Sequence, residues 1–210
     1  MYRAIMIDPP WKETGGGKIK RGADRHYPVI KKKEDIRDVI LNSGKWDPAE
    51  HSHLYLWTTN NFLQDALWLM DELGFRYVTN IAWVKVMPEE GWTEAKWSKF
   101  LFWVLRYGWA RAVMRWVLKN GGLGQYFHGQ HEILLFGVKG KGKDPSVYQK
   151  PVHLWGRKYT GTVMFASVGE HSEKPEEAYE LVEARSHGPY IDMFARRKHH
   201  RWDTWGDEAP

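Results

Sequence analysis

The 210-residue sequence predicts an α/β fold with a mostly parallel sheet that carries helices on both faces. Two patterns predict it: short apolar runs rich in β-branched and aromatic residues, and amphipathic helical segments between them. No apolar segment approaches the ~20 residues needed to cross a bilayer, so no membrane contact is expected. With 42% hydrophobic and 27% charged residues, we expect one domain over residues 1–210.

The predicted strands are apolar runs bounded by turn residues. In chain order they are Ala4–Ile7, His53–Thr59, Arg76–Lys85, His131–Gly140, Thr162–Val168 and Tyr190–Ala195. The predicted helices have apolar residues at helical spacing, and they cover Glu34–Leu41, Asn61–Leu73 and Pro175–Arg185. Because ligands bind at the carboxyl ends of parallel strands, Asp8, which follows the first strand, is predicted to lie at the ligand-binding edge.

The segment Trp92–Asn120 interrupts this alternation, and its apolar spacing predicts a helical hairpin inserted into the sheet. Its second half places Arg111, Arg115 and Lys119 four residues apart on one face, opposite an aromatic side that includes Trp116. This face could grip a phosphate backbone. Alternatively, it is a solvated basic face, or a surface through which the chain forms a homodimer or binds a partner subunit.

Composition excludes several classes of site. The chain has no cysteine, which excludes disulfides, thiolate metal sites and cysteine nucleophiles. The 31 basic against 26 acidic residues give a net charge of +5, which suits a nucleic-acid partner but also ordinary solubility. The ten histidines do not follow a known ligand spacing, so no metal is predicted. The amino terminus has no signal-peptide pattern, and we expect a cytoplasmic location.

The stretch Asp8-Pro9-Pro10-Trp11 ends the first strand rigidly, because proline fixes φ and forces the preceding residue into an extended conformation. The Asp8 carboxylate and the Pro9 carbonyl are two acceptors that could bind both hydrogens of one exocyclic amine. Trp11 could offer a flat face for stacking a base. These features describe a nucleobase pocket. The alternative is a turn in which Asp8 caps, the prolines end the strand and Trp11 packs in the core.

The "DPPW" motif resembles the catalytic motif of the adenine amino-methyltransferases related to the eukaryotic mRNA adenosine methyltransferase catalytic subunit. Other blocks resemble that family in the family's order and cover nearly the whole chain except the hairpin: "YRAIMIDPPW", "RHYPVI", "HLYLWTTN", "GFRYVTNIAWVK", "GLGQYFHGQHEILLFGVKGK", "EHSEKPEEAYELVEARS" and "DMFARRKHHRWDTWGDE". The resemblance implies a Rossmann-like methyltransferase fold and transfer of a methyl group from S-adenosylmethionine to N6 of adenine. It implies nucleic acid as partner, DNA rather than RNA, in a bacterial host or phage-infected cell.

The resemblance also implies individual roles. Lys174 corresponds to the lysine that meets the methionine carboxylate, and Arg196 to an arginine near the cofactor. Asp207 departs from the Asn-Glu or Asn-Gln pair that the family often has there. The implied catalytic residues are Asp8, Pro9, Pro10 and Trp11, and the implied cofactor-binding residues are Asp8, Lys174, Phe194, Arg196, His199, Asp207 and Glu208.

Predicted substrate contacts come from the same edge of the sheet and from the hairpin. Gly15, Gly16 and Gly17 predict a mobile loop over residues 13–27 that closes over the target base, or else a plain surface loop. Lys85 is a candidate for phosphate contact. The full predicted set is Trp11, His26, Tyr27, Lys85, Arg111, Arg115 and Lys119.

Three alternative functions are compatible with these motifs: a non-catalytic nucleic-acid-binding partner subunit of a methyltransferase, methylation of RNA adenosine, and methylation of a different amine, such as cytosine or a protein amide. An intact "DPPW" argues against the first.

Overall fold

The computed structural model describes residues 1–12, 30, 32–87, 92–118, 126–150, 154, 161–169 and 173–206. The predicted loop over residues 13–27, with His26 and Tyr27, lies outside these ranges, as do Lys119, Asp207 and Glu208. Within them, no helix is long and apolar enough to span a bilayer.

In the described part of the chain, seven strands form one mixed sheet. They are β1 (Tyr2–Ile7), β2 (Pro48–Thr58), β3 (Arg76–Val86), β4 (His131–Lys139), β5 (Val163–Ser167), β6 (Tyr190–Met193) and β7 (Trp202–Trp205). Their spatial order is β5-β3-β4-β2-β1-β6-β7. Among these seven described strands, β4 alone is antiparallel to its neighbours, so the other six run in one direction and the predicted, mostly parallel sheet is confirmed.

Helices cover both faces of this sheet. The helices are α1 (Lys33–Leu41), α2 (Leu63–Glu72), α3 (Glu94–Tyr107), α4 (Trp109–Trp116) and α5 (Glu176–Arg185). Along β1, Ile5 and Ile7 belong to a core with α1 and α2, while Ala4 and Met6 belong to a core with α5. This division follows from strand geometry, because successive side chains point to opposite faces. The prediction of helices on both faces is therefore confirmed.

The strand directions bring particular residues to one edge. Ile7, the last residue of β1, lies in register with Leu56 of β2 and Met193 of β6. Because β4 runs in the opposite direction, its second residue, Glu132, lies opposite Trp83 near the end of β3. The carboxyl ends of the parallel strands and the beginning of β4 therefore share the edge at which Asp8 lies.

The predicted hairpin does contain two helices, which lie between β3 and β4 in the chain and pack against each other. The Thr93 side chain accepts a hydrogen bond from the Lys96 N–H and caps α3. Gly108 separates the helices with φ of 84°, a conformation that glycine adopts without steric cost. The second helix is shorter than predicted: it ends at Trp116, and Leu118 already pairs with β3. That the hairpin is an insertion within a single domain stays a prediction.

Candidate active site

The chain leaves β1 through Asp8, Pro9 and Pro10. The Asp8 N–H still donates to the Met193 carbonyl at 3.2 Å, which ties the start of the turn to β6. The Pro9 carbonyl accepts the N–H of Trp11 at 2.8 Å, and the Pro10 carbonyl accepts that of Ile30 at 3.2 Å. A carbonyl oxygen has two lone pairs, so Pro9 can still accept from a second donor. The turn therefore keeps the acceptor that the sequence predicts, with half of its capacity in use.

Trp11 does not present an open face. Its side chain is 7% exposed, its ring stacks on Phe62 with centroids 5.6 Å apart, and its Nε1–H donates to the Trp57 carbonyl at 3.0 Å. The indole belongs to the core shared with α1 and α2. In this structure the ring fastens the turn to β2, and its stacking on a base stays a prediction.

Five charged side chains form a continuous chain of contacts, which we call the carboxyl-edge cluster. The Lys174 ammonium lies 3.1 Å from Oδ1 of Asp8 and 2.9 Å from Oε2 of Glu132. On one side, Nζ of Lys85 lies 2.5 Å from Oε1 of Glu132; on the other, Nη2 of Arg196 lies 4.0 Å from Oδ2 of Asp8. None of these side chains is more than 25% exposed, so solvent screens them weakly.

The cluster sits against two tryptophans near the ends of β2 and β3, the two strands that flank β4. The Lys174 ammonium lies 5.2 Å from the centroid of the Trp57 ring, and that of Lys85 lies 5.0 Å from the Trp83 ring. Both indoles are almost fully buried, and they meet edge to face. Each ammonium thus gains a cation–π contact on an immobile ring, which fixes its position further.

Burial and neighbouring charges set the protonation states. Burial raises the pKa of Asp8, and the charges of Lys174 and Arg196 oppose this only in part. Burial also favours the neutral form of Glu132, but Lys174 and Lys85 outweigh it and lower the pKa of that carboxyl to about 2. Burial alone would lower the pKa of Lys174, yet Asp8 and Glu132 raise it above the usual value. Asp8 is therefore the carboxylate of the cluster whose charge is least favoured.

Of the predicted cofactor residues, Phe194 lies directly after β6 at the same edge. It adopts φ of 62°, unusual for a residue with a side chain, and its ring meets Trp205 edge to face. His199 is held elsewhere: its ring stacks on Tyr179 at 4.3 Å, and its Nε2 lies 2.5 Å from Oε1 of Glu176. The structure thus brings Arg196 and Lys174 to Asp8, whereas the contacts of His199 are with α5.

The predicted substrate residues divide in the same way. Lys85 joins the cluster through Glu132, so it faces a carboxylate in this structure. Arg111 and Arg115 lie on α4, and the Arg115 guanidinium covers the Trp103 ring at 4.9 Å. Among the residues that the structure describes, no group of three or more His, Asp or Glu side chains could hold a metal ion.

The MT-A70 family model matches residues 2–99 and 103–208. The chain belongs to the MT-A70 family. It is 24% identical over 229 residues to the type II methyltransferase M.MunI of a Mycoplasma species, a match that covers 100% of this chain and 78% of that protein. It is 23% identical over 215 residues to an MT-A70-like N(6)-adenosine-methyltransferase of Medicago truncatula, with 99% of this chain and 26% of that protein covered.

These matches confirm the predicted family and the predicted enzyme class, an adenine N6 methyltransferase. They also correct one expectation. The MT-A70 match includes all of α4 and all of α3 except residues 100–102, so the resemblance does not stop at the hairpin.

Two residues of this MT-A70 chain escaped the sequence prediction. Glu132 joins Lys85 to Lys174, but in the sequence it is a lone acid at the start of an apolar run. Arg197 donates to Glu173, Glu176 and the Lys174 carbonyl, and so ties the loop of Lys174 to α5. Glu132 lies within the block "GLGQYFHGQHEILLFGVKGK", but nothing in that block singles it out.

Proposed function

We propose that this chain transfers a methyl group from S-adenosylmethionine to N6 of adenine in DNA. The observation that supports it most is the position of Asp8, a carboxylate with 15% exposure at the carboxyl end of β1, beside the Pro9 carbonyl and two cations. An exocyclic amine has two N–H groups, and it needs two acceptors close together in a site where water does not compete.

The charges of the cluster fit an amino-acid cofactor. Three cationic side chains share two carboxylates there, so the cluster carries surplus positive charge that suits a carboxylate ligand. Lys174 and Arg196 are the residues that would hold the methionine carboxylate. When bound, S-adenosylmethionine supplies an electrophilic methyl group on a sulfonium sulfur. The roles of Phe194 and His199 rest on the family resemblance alone, as do those of Asp207 and Glu208.

In this mechanism, Asp8 and the Pro9 carbonyl bind the two amine hydrogens and orient the nitrogen. Lys174 favours the ionised form of Asp8 and offsets part of the cost of its burial, and Glu132 holds the ammonium from the other side. Asp8 or water accepts the proton that the amine loses when it is methylated. Such positioning can supply several kcal/mol of the barrier reduction, and no covalent intermediate with the protein is required.

We assign DNA as the substrate because the type II methyltransferase is the relative whose length this chain spans more fully, 78% against 26%. The target adenine is extruded from a duplex or taken from a single strand, since the amine is inaccessible within the base stack. RNA adenosine and other amines are distinguished by the same assay.

The test is methyl transfer from labelled S-adenosylmethionine to single-stranded DNA, duplex DNA and RNA, followed by nucleoside analysis. The variant is Asp8→Asn, which keeps the shape of the side chain, and the matched control is Asp71→Asn on the exposed side of α2. We expect N6-methyladenine from the wild type and the control, and a loss of about 10²-fold or more in Asp8→Asn.

Wild-type activity in Asp8→Asn would refute the assignment of Asp8. Methylation of RNA but not DNA would refute the substrate. If the wild type neither methylates any substrate nor binds S-adenosylmethionine in calorimetry, the chain is a non-catalytic partner subunit and the proposal fails.

A further inference from the structure

The helical hairpin exposes aromatic and basic side chains together. We propose that this hairpin surface is a docking site for single-stranded nucleic acid. We define the surface by its exposed rings and its basic side chains: Trp97, Phe102, Tyr107, Trp109, Lys99, Arg106, Arg111 and Arg115. The inference deepens the proposed function, since it names the form of nucleic acid that reaches the catalytic edge. It rests on the proposed function only for the identity of the bound polymer, which is DNA.

The exposure of these rings is large for a protein that must stay dissolved. Trp97 is 47% exposed, Phe102 60%, Tyr107 42% and Trp109 64%. Exposed aromatic groups of this size mark an interaction surface more often than an idle one. Each base has a flat face, so bases stack on such rings with little regard to sequence.

The hairpin has its own small core, which holds two of the exposed rings, Trp97 and Trp109, in place. Phe100 is 4% exposed and is surrounded by Trp92, Trp97 and Trp109 at centroid distances of 5.5 to 6.0 Å. Ala112 is fully buried where α4 meets α3. Since these two rings are fixed before any ligand arrives, less conformational entropy is lost when a ligand binds to them.

Charge decides which occupant fits this surface. Residues 92–118 contain five basic side chains and a single acid, Glu94 at the start of α3. A second copy of the chain would bring the same positive surface against this one, and like charges oppose such a contact. A polyanion is attracted instead, and its phosphates would lie near Arg111 and Arg115 while its bases reach the rings.

The hairpin is joined directly to the catalytic edge. Leu118 forms a β-bridge with Val86, and the Met87 N–H donates to the Val117 carbonyl at 2.8 Å. Lys85, which precedes Val86, belongs to the carboxyl-edge cluster. A nucleic-acid strand that lies on the hairpin surface therefore leads to the edge of the sheet at which Asp8 is placed.

The rings favour a single strand over a duplex. In a duplex the base faces are already stacked on each other, so exposed aromatic side chains gain little there. In a single strand the faces are available, and the target adenine does not have to be extruded. Binding that depends on the rings should therefore be specific to the unpaired form.

The test is fluorescence anisotropy with a labelled 20-nucleotide single strand and its matched duplex, without cofactor. Phe102→Ala and Arg111→Ala are the variants; Tyr77→Ala, an exposed ring at the start of β3, and Lys45→Ala, an exposed lysine before β2, are the controls. We expect Phe102→Ala to weaken single-strand binding about fivefold to a hundredfold. Arg111→Ala should lower the slope of log affinity against log salt by about 0.7. Circular dichroism melting checks that each variant is folded.

Unchanged single-strand binding in both variants, or an equal loss for the duplex in Phe102→Ala, would overturn the inference. So would a dimer in sedimentation that Phe102→Ala dissociates, because a second copy would then occupy the surface. The two proposals can fail independently. If the protein shows ring-dependent binding but no methylation, the enzymatic role is refuted. If it methylates its substrate and Phe102→Ala binds nucleic acid normally, only the docking site is refuted.

Discussion

Glu132→Gln tests whether the carboxyl-edge cluster stabilises the fold. The carboxylate lies 2.5 Å from Lys85 and 2.9 Å from Lys174, and its side chain is 16% exposed. Its pKa of about 2, against an ordinary value of 4.5, means that folding favours the ionised form. This difference corresponds to about 3 kcal/mol, since one pKa unit is worth about 1.4 kcal/mol. We therefore expect Glu132→Gln to lower the free energy of unfolding by about 3 kcal/mol at pH 7.

The pH dependence makes this prediction specific to charge. A carboxyl whose pKa is depressed in the folded state contributes stability above its unfolded pKa, and that stability is lost as the pH falls through its folded pKa. The difference in unfolding free energy between wild type and Glu132→Gln should thus be smaller at pH 4 than at pH 7, and at pH 3 it should be roughly half of its value at pH 7. Urea unfolding followed by tryptophan fluorescence measures it.

The matched control is Glu72→Gln, which breaks the exposed pair that Arg37 and Glu72 form at 2.9 Å. Exposed pairs contribute roughly 0 to 1 kcal/mol, so this variant should change little at any pH. A loss below about 0.5 kcal/mol in Glu132→Gln at pH 7, or a loss that does not shrink with acidity, would refute the reasoning, because the cluster would then contribute no more than a surface pair.

Three further predictions concern buried groups. Lys174→Met removes a charge that lowers the pKa of Asp8, so the acidic limb of the pH profile of kcat/KM should move to higher pH. If the acidic limb does not move, Lys174 does not influence the ionisation of Asp8. Trp11→Ala should lower the free energy of unfolding by about 3 to 5 kcal/mol, and Trp11→Phe should lower it clearly less, as measured by urea unfolding. A loss near zero in Trp11→Ala would mean that the ring does not contribute to core packing. Asp192 is buried against Tyr179, and its pKa is raised to about 7. The unfolding free energy of the wild type should therefore fall relative to that of Asp192→Asn by about 4 kcal/mol as the pH rises from 4 to 8. If the melting temperatures of the two proteins stay parallel over this range, the prediction is wrong.

Much of the sheet could be predicted because its strands differ sharply from what surrounds them. The run before Asp8 is apolar and stops at two prolines, and the predicted end of β1 at Ile7 is confirmed. The helix predicted over Pro175–Arg185 begins one residue later, at Glu176, since proline precedes the first helical turn. In contrast, β7 (Trp202–Trp205) was missed, because four residues after a basic run carry no recognisable alternation.

The sequence predicts a residue of the candidate site only where its position follows from a single strand. The position of Asp8 follows from its own strand, whereas Glu132 reaches the cluster because β4 runs antiparallel, and an apolar run does not indicate its direction. Trp11 illustrates the opposite limit. An indole beside a predicted pocket suits a base and a core equally well, and the sequence does not show the contacts with Phe62 and Trp57 that pack this ring in the core.

The antiparallel pairing of β3 with β4 has a consequence for how this enzyme can diversify. A segment that joins adjacent antiparallel strands leaves the sheet and returns to it at one edge, so its length and composition can change without shifting the register of any strand. The hairpin is such a segment, and it is fastened beside Lys85 rather than across the sheet. Selection can therefore change the hairpin while the five charged residues of the carboxyl-edge cluster stay fixed, so the two parts of the chain can evolve independently.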